Sequence, residues 1–167
     1  MKHSFVLAGI LLLVLWFAAS PVQAFTAKNL DIAVQQNTDA VITFDYELSW
    51  IENIAVFMRI ADPGAELKKA LESNYKKPVI VMVADEGRSQ FMVQGFVSAQ
   101  EHNGTIQMRT PALSFIDAEK VLNQYWFAPF ITPDFSPGVT SVRFPDGYVQ
   151  DFSDQISIPA IDHTLSS

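Results

Sequence analysis

The chain has 167 residues, with 11 Lys and Arg against 18 Asp and Glu for a formal charge of −7, and it contains no cysteine. Its basic residues are scattered apart from Lys68-Lys69 and Lys76-Lys77, so it lacks the clustered positive charge that displaces counterions from phosphates. This argues against nucleic acid and anionic lipid head groups as partners, and the missing cysteines exclude disulfides, thiolate metal sites and a cysteine nucleophile within this sequence.

Residues 1–24 carry the three parts of a secretory signal peptide: a basic start at Lys2, an apolar run over 5–19, and the small residues Val22 and Ala24. Cleavage is expected after Ala24. A retained membrane anchor is the other reading, but a bilayer-spanning helix takes about 18–20 apolar residues. Residues 25–167 are expected to form one globular domain, secreted or held at the outer surface of the cytoplasmic membrane, with no transmembrane span after cleavage.

Leu30, Ile32 and Val34 alternate with Asp31, Ala33 and Gln35, which predicts a strand over 29–36. Asn37-Thr38-Asp39 has turn chemistry and leads into the clearest pattern in the chain, residues 40–50. There Ala40, Ile42, Phe44, Tyr46, Leu48 and Trp50 share one side of a period-2 ribbon, while Val41, Thr43, Asp45, Glu47 and Ser49 share the other. Such alternation predicts an antiparallel sheet with one face packed on a core.

Ser49-Trp50-Ile51-Glu52 matches a helix capping box. Ile51, Ile54, Ala55 and Met58 then follow helical spacing, although Ile54, Val56, Met58 and Ile60 also alternate as a strand would; the cap tips the reading towards a helix. Asp62-Pro63 predicts the start of a helix running to about Asn74, with Leu67, Ala70, Leu71 and Tyr75 facing the core. Three further strands are expected, over 79–83, 90–100 and 105–109, the last two joined by a tight turn at Asn103-Gly104. Ala118, Val121, Leu122 and Tyr125 share a face and predict another helix over 117–125.

Residues 126–138 carry Pro129, Pro133 and Pro137 among aromatic side chains, which predicts an ordered, extended loop. Strands at 140–144 and 148–152 should flank a Pro145-Asp146-Gly147 turn, with a last short pairing at 155–158 and a tail from Asp162. The fold expected is therefore α+β: a mainly antiparallel sheet of about six or seven strands, with two or three helices packed on its apolar face.

The chemistry-bearing residues are sparse. Asp45 and Glu47, roughly 7 Å apart along one strand, are within the range of a glycosidase acid and base pair, but a half-exposed strand needs polar residues there anyway. His3, His102 and His163 have no metal-ligand spacing, and the two beyond the leader read as solvated loop residues. Asp146, Asp151 and Asp154 match no twelve-residue calcium loop. No Gly-x-Ser-x-Gly elbow, phosphate loop or dinucleotide fingerprint occurs, so neither a cofactor nor a metal is expected.

Two features could mark a surface. Asn103-Gly104-Thr105 is an acceptor sequence for N-linked glycan, and it is also a sufficient turn by itself. Trp126, Phe127, Phe130 and Phe135 form a rigid aromatic and proline loop suited to recognition, or alternatively close the open end of the core, with Phe135 the member expected to be most exposed.

Tyr46-Glu47-Leu48-Ser49-Trp50, Arg59-Ile60-Ala61-Asp62-Pro63, Tyr125-Trp126-Phe127-Ala128-Pro129, Thr132-Pro133-Asp134-Phe135-Ser136-Pro137 and Gln155-Ile156-Ser157-Ile158-Pro159 together resemble small exported proteins of methanogenic archaea of unassigned function. The resemblance implies an exterior location and adds weight to a glycan at Asn103. It brings no catalytic residues. The expected function is an exported, non-catalytic envelope or secreted module that binds or structures a protein or glycan of the cell envelope. Alternatives are a surface-polymer hydrolase using Asp45 and Glu47, and a carrier of a small apolar ligand in a cavity lined by the apolar face of 40–50.

Overall fold

The computed structural model describes residues 23–48, 62–117, 120, 123–124, 128–130 and 132–165. These residues are 51% strand and 12% helix, so the domain is mostly β, and the expected α+β arrangement is corrected. One α-helix runs among them, α1 (Pro63–Tyr75). The helix expected over 51–60 lies outside the described residues, and so does most of the one over 117–125.

The main sheet has seven strands and is mixed rather than antiparallel. Its core is the hairpin of β1 (Gln23–Val34) and β2 (Ala40–Glu47), which keeps the register Ile32 opposite Ile42 and Leu30 opposite Phe44. The turn between them is built by Asn37 and Asp39, joined side chain to side chain, with Thr38 at φ 74°. The alternation read from the sequence is met along β2: Ala40, Ile42, Phe44 and Tyr46 are buried, while Val41, Thr43 and Asp45 are half-exposed. Burying four such side chains gives this strand its register, because a slip of one residue would turn all of them to solvent.

β3 (Val79–Ala84) and β4 (Arg88–Val93) form a second hairpin that joins the first through β4 alongside β2. The strand expected over 90–100 is broken, since Gly95 adopts φ 57° and the chain turns before β5 (Ser98–His102). β5 and β6 (Thr105–Arg109) make the Asn103-Gly104 hairpin, both turn residues having positive φ as a tight hairpin demands.

The parallel element comes from the far end of the chain. β8 (Thr132–Asp134) and then β9 (Val139–Arg143) lie along the edge of β1 that β2 leaves free. Pro133 sits within β8, a short strand of the kind that tolerates proline, so the aromatic and proline segment is partly strand and not wholly loop. At the handover Gly138 passes close to Lys28, and a Cβ there would stand 3.1 Å from the Lys28 carbonyl oxygen. β10 (Val149–Ser153) pairs with β9 and ends the sheet, giving the order β10-β9-β1-β2-β4-β3.

Two smaller pairings complete the fold. β7 (Leu113–Ser114) meets β11 (Ser157–Ile158), and β12 (Asp162–Thr164) pairs with β6. Asp162–Thr164 are thus a strand and not part of a tail.

α1 begins as its sequence predicts, with the Asp62 side chain accepting from the Ala65 N–H at 2.9 Å and Pro63 in the first turn. Leu67, Leu71 and Tyr75 pack on the core, Tyr75 meeting Phe96 edge to face at 5.5 Å; Ala70, expected with them, is exposed. Gly64 lets the first turn approach β3, since a Cβ there would lie 2.8 Å from the Ala84 Cβ. Among the described residues Phe91, Phe144, Ile32, Met108, Val93 and Val142 are the largest wholly buried apolar side chains.

Candidate functional site

The two edges of the main sheet differ in chemistry. β10 reads Val-Gln-Asp-Phe-Ser and is mainly polar, with Val149 its one well-exposed apolar side chain. β3 reads Val-Ile-Val-Met-Val-Ala and, among the described residues, pairs with β4 alone. A continuous apolar run of this length usually marks a strand covered on both faces. Here Val79 alone is buried, while Ile80, Val81, Met82 and Val83 are 48%, 40%, 49% and 38% exposed. β3 also contains a bulge between Val81 and Val83, and it is bracketed by Lys76-Lys77 on one side and Asp85-Glu86 on the other.

The turn that ends β3 is firmly held. The Asp85 carboxylate accepts from the Gly87 and Arg88 N–H groups at 3.1 and 2.7 Å. Tyr46 donates its hydroxyl to the Asp85 carbonyl at 2.9 Å and lies 3.3 Å from the buried Ser89 Oγ. Burial raises the Tyr46 phenol above its usual range, so it remains a donor. The edge is therefore presented by a fixed hairpin rather than a loose one.

Asp45 and Glu47 lie on the outer face, each tied to a cation. Asp45 takes a forked contact from Arg88 at 2.6 and 3.2 Å, and Glu47 pairs with Lys28 at 3.0 Å. Arg88 and Glu47 are well exposed, so these are surface pairs worth at most about 1 kcal/mol each. A concavity of about 560 Å3 opens on the same face near the opposite end of β2, lined among others by Gln35, Asn37, Asp39, Val41 and Met92. It does not include the two carboxylates, and Asp39 within it is engaged by the Gly95 N–H at 2.8 Å. The apolar face of β2 is closed, with Ala40, Ile42, Phe44 and Tyr46 at 0–4% exposure, which leaves no ligand-sized space against them.

The aromatic candidates are separated by what the structure describes. Phe135 is half-buried, its ring 5.2 Å from Phe25, which also contacts Tyr46 at 5.4 Å and Phe44 at 6.0 Å. Phe130 ends a 3-10 turn, Ala128–Phe130, and its side chain lies outside the described residues, as do Trp126 and Phe127 altogether. Asn103 stands at the exposed tip of the β5–β6 hairpin with φ 52°.

Sequence reasoning missed His163. Far from a solvated tail, its Nε2 donates to Asp146 Oδ2 at 2.8 Å, and its ring stacks on Tyr148 at 4.2 Å and touches Phe144 at 4.7 Å. The two side chains are 16% and 8% exposed. This pair fastens β12 to the β9–β10 turn and so ties the small sheet to the large one; only the pairing of β12 could have revealed it. Among the described residues no group of three or more His, Asp or Glu could hold a metal, and no helix is long and apolar enough to cross a membrane.

No protein-family model, curated protein or solved structure matches the chain.

Proposed function

We propose that the protein is an exported, non-catalytic module that binds or structures other components of the cell surface, and that it does so by strand addition at the open edge of β3. The observation that carries this reading is the contrast between the mainly polar β10 edge and the apolar, 38–49% exposed run along β3. An unpaired strand offers backbone donors and acceptors to an incoming strand, and apolar side chains flanking it gain from being covered. The leader-like residues 1–24, the acidic charge and the resemblance to small exported archaeal proteins support an exterior location. The carboxylate reading is less well supported, because Asp45 and Glu47 are held by Arg88 and Lys28 on an open face away from the concavity.

A photo-crosslinking residue placed at Met82, with a control at Ser141 on the outer face, tests this in cells. Adducts from Met82 in the envelope fraction, and none from Ser141, are expected. A protein recovered free in the medium with no adduct from Met82 would overturn the reading, and loss of polymer hydrolysis in Asp45→Asn or Glu47→Gln would replace it with the enzyme.

A further inference from the structure

Resting on that association reading, we infer that the occupant of the β3 edge is a second copy of the same chain, paired antiparallel to the first about a two-fold axis. The argument is charge complementarity written into the ends of the strand. β3 is preceded by Lys76-Lys77 and followed by Asp85-Glu86, with only Pro78 and apolar residues between them. When such a segment meets itself antiparallel, its start faces the partner's end. In the register centred between Val81 and Met82, Lys77 falls opposite Glu86; centred on Val81, Lys77 falls opposite Asp85, with Lys76, the C-cap of α1, beside it. In the first register residues 79–84 cover one another, in the second Ala84 falls opposite Pro78, and in both each end of the interface sets lysine against carboxylate.

The same geometry selects against other arrangements. Parallel pairing would set lysine against lysine and carboxylate against carboxylate, and like charges opposite one another are unfavourable. Two chains of formal charge −7 repel at a distance, so local complementarity is what an approach of copies requires. One of the chain's two Lys-Lys pairs stands at this edge. The contact is isologous, closing as a dimer without leaving the β3 edge free for a fibre. The bulge between Val81 and Val83 shortens the regular ladder, so the dimer is expected to dissociate on dilution.

The test is sedimentation of the chain from residue 25 over a roughly hundredfold concentration range, with charge variants at exposed positions. A monomer–dimer equilibrium is expected. Lys77→Glu and Glu86→Lys should each weaken it by roughly tenfold or more, since each sets like charges opposite at both ends. The two changes combined in one chain should restore it, and so should mixing the two single variants, a pattern that a merely structural role of either residue would not give. Met82→Lys, at a position already half-exposed, should leave the fold intact and the protein monomeric. A dimer indifferent to these changes overturns the inference by placing the contact elsewhere. A monomer at every concentration that still crosslinks from Met82 in the envelope overturns it in favour of a different protein and leaves the association reading standing. A monomer without such crosslinks removes both.

Discussion

Replacing His163 should loosen the joint between the two sheets by an amount that can be worked from its contacts. The ring donates to a carboxylate whose side chain is only 8% exposed, and hydrogen bonds to charged groups contribute about 1.5–3 kcal/mol. Its stack on Tyr148, with rings 4.2 Å apart and 8° from parallel, adds roughly 0.5–1.5 kcal/mol. The His163→Ala variant is thus expected to lose about 2–4 kcal/mol, a large share of the stability of a domain this size. His163→Phe keeps a ring to stack and loses only the hydrogen bond, so it should fall between. Urea unfolding followed by tryptophan fluorescence gives both values, and a cycle with Asp146→Asn isolates the pair. A loss below about 0.5 kcal/mol in His163→Ala would place this contact with ordinary surface pairs and refute the claim that it fastens β12.

Other outcomes follow from single features. Burial pushes the Tyr75 phenol up to about 12 from an ordinary 10, so the folded state holds a proton that the unfolded chain gives up. Its stabilising effect is full below pH 10 and is lost as pH rises towards 12, and Tyr75→Phe should flatten that part of a stability profile measured by urea titration. Gly64→Ala sets a methyl 2.8 Å from the Ala84 Cβ, and overpacking of about 1–3 kcal/mol should exceed the gain in helix propensity of roughly 0.5–1 kcal/mol, giving a lower Tm. Asp62→Ala removes the cap on the Ala65 N–H and should cost about 1 kcal/mol, with earlier amide exchange in the first turn of α1 as its local signature.

Local chemistry made several parts of this fold legible in advance. The alternation along 40–47, the Asn37 to Asp39 turn, the Asp62-Pro63 helix start and the Asn103-Gly104 hairpin each depend on residues within a few positions of one another. What the sequence did not disclose depends on distant partners. Nothing near Leu30 says that Thr140 will lie beside it in parallel, so the mixed character of the sheet was not legible. The run at 79–84 has the composition of a covered strand, and only the strand order shows it at an edge. Gly95 is the local signal for the break between β4 and β5, and it is obscured by flanking residues that continue the apolar pattern. Among the site candidates, Phe135 found an aromatic neighbour in Phe25 of β1, which no spacing rule could anticipate.

The position of β1 in the sheet sets the order in which the molecule can be made. One edge of this strand is met by its neighbour in sequence, and the other by β9, close to the far end of the chain. Contacts between such remote segments reward the chain only after the entropy of closing a long loop has been met, so they form late and slowly. A growing polypeptide that has released only its first hundred residues carries β1 with an open parallel edge and an incomplete core. The sheet is complete only once residues 139–143 have joined β1. A truncation before Val139 leaves the β1 edge without its parallel neighbour and is expected to collect as aggregate.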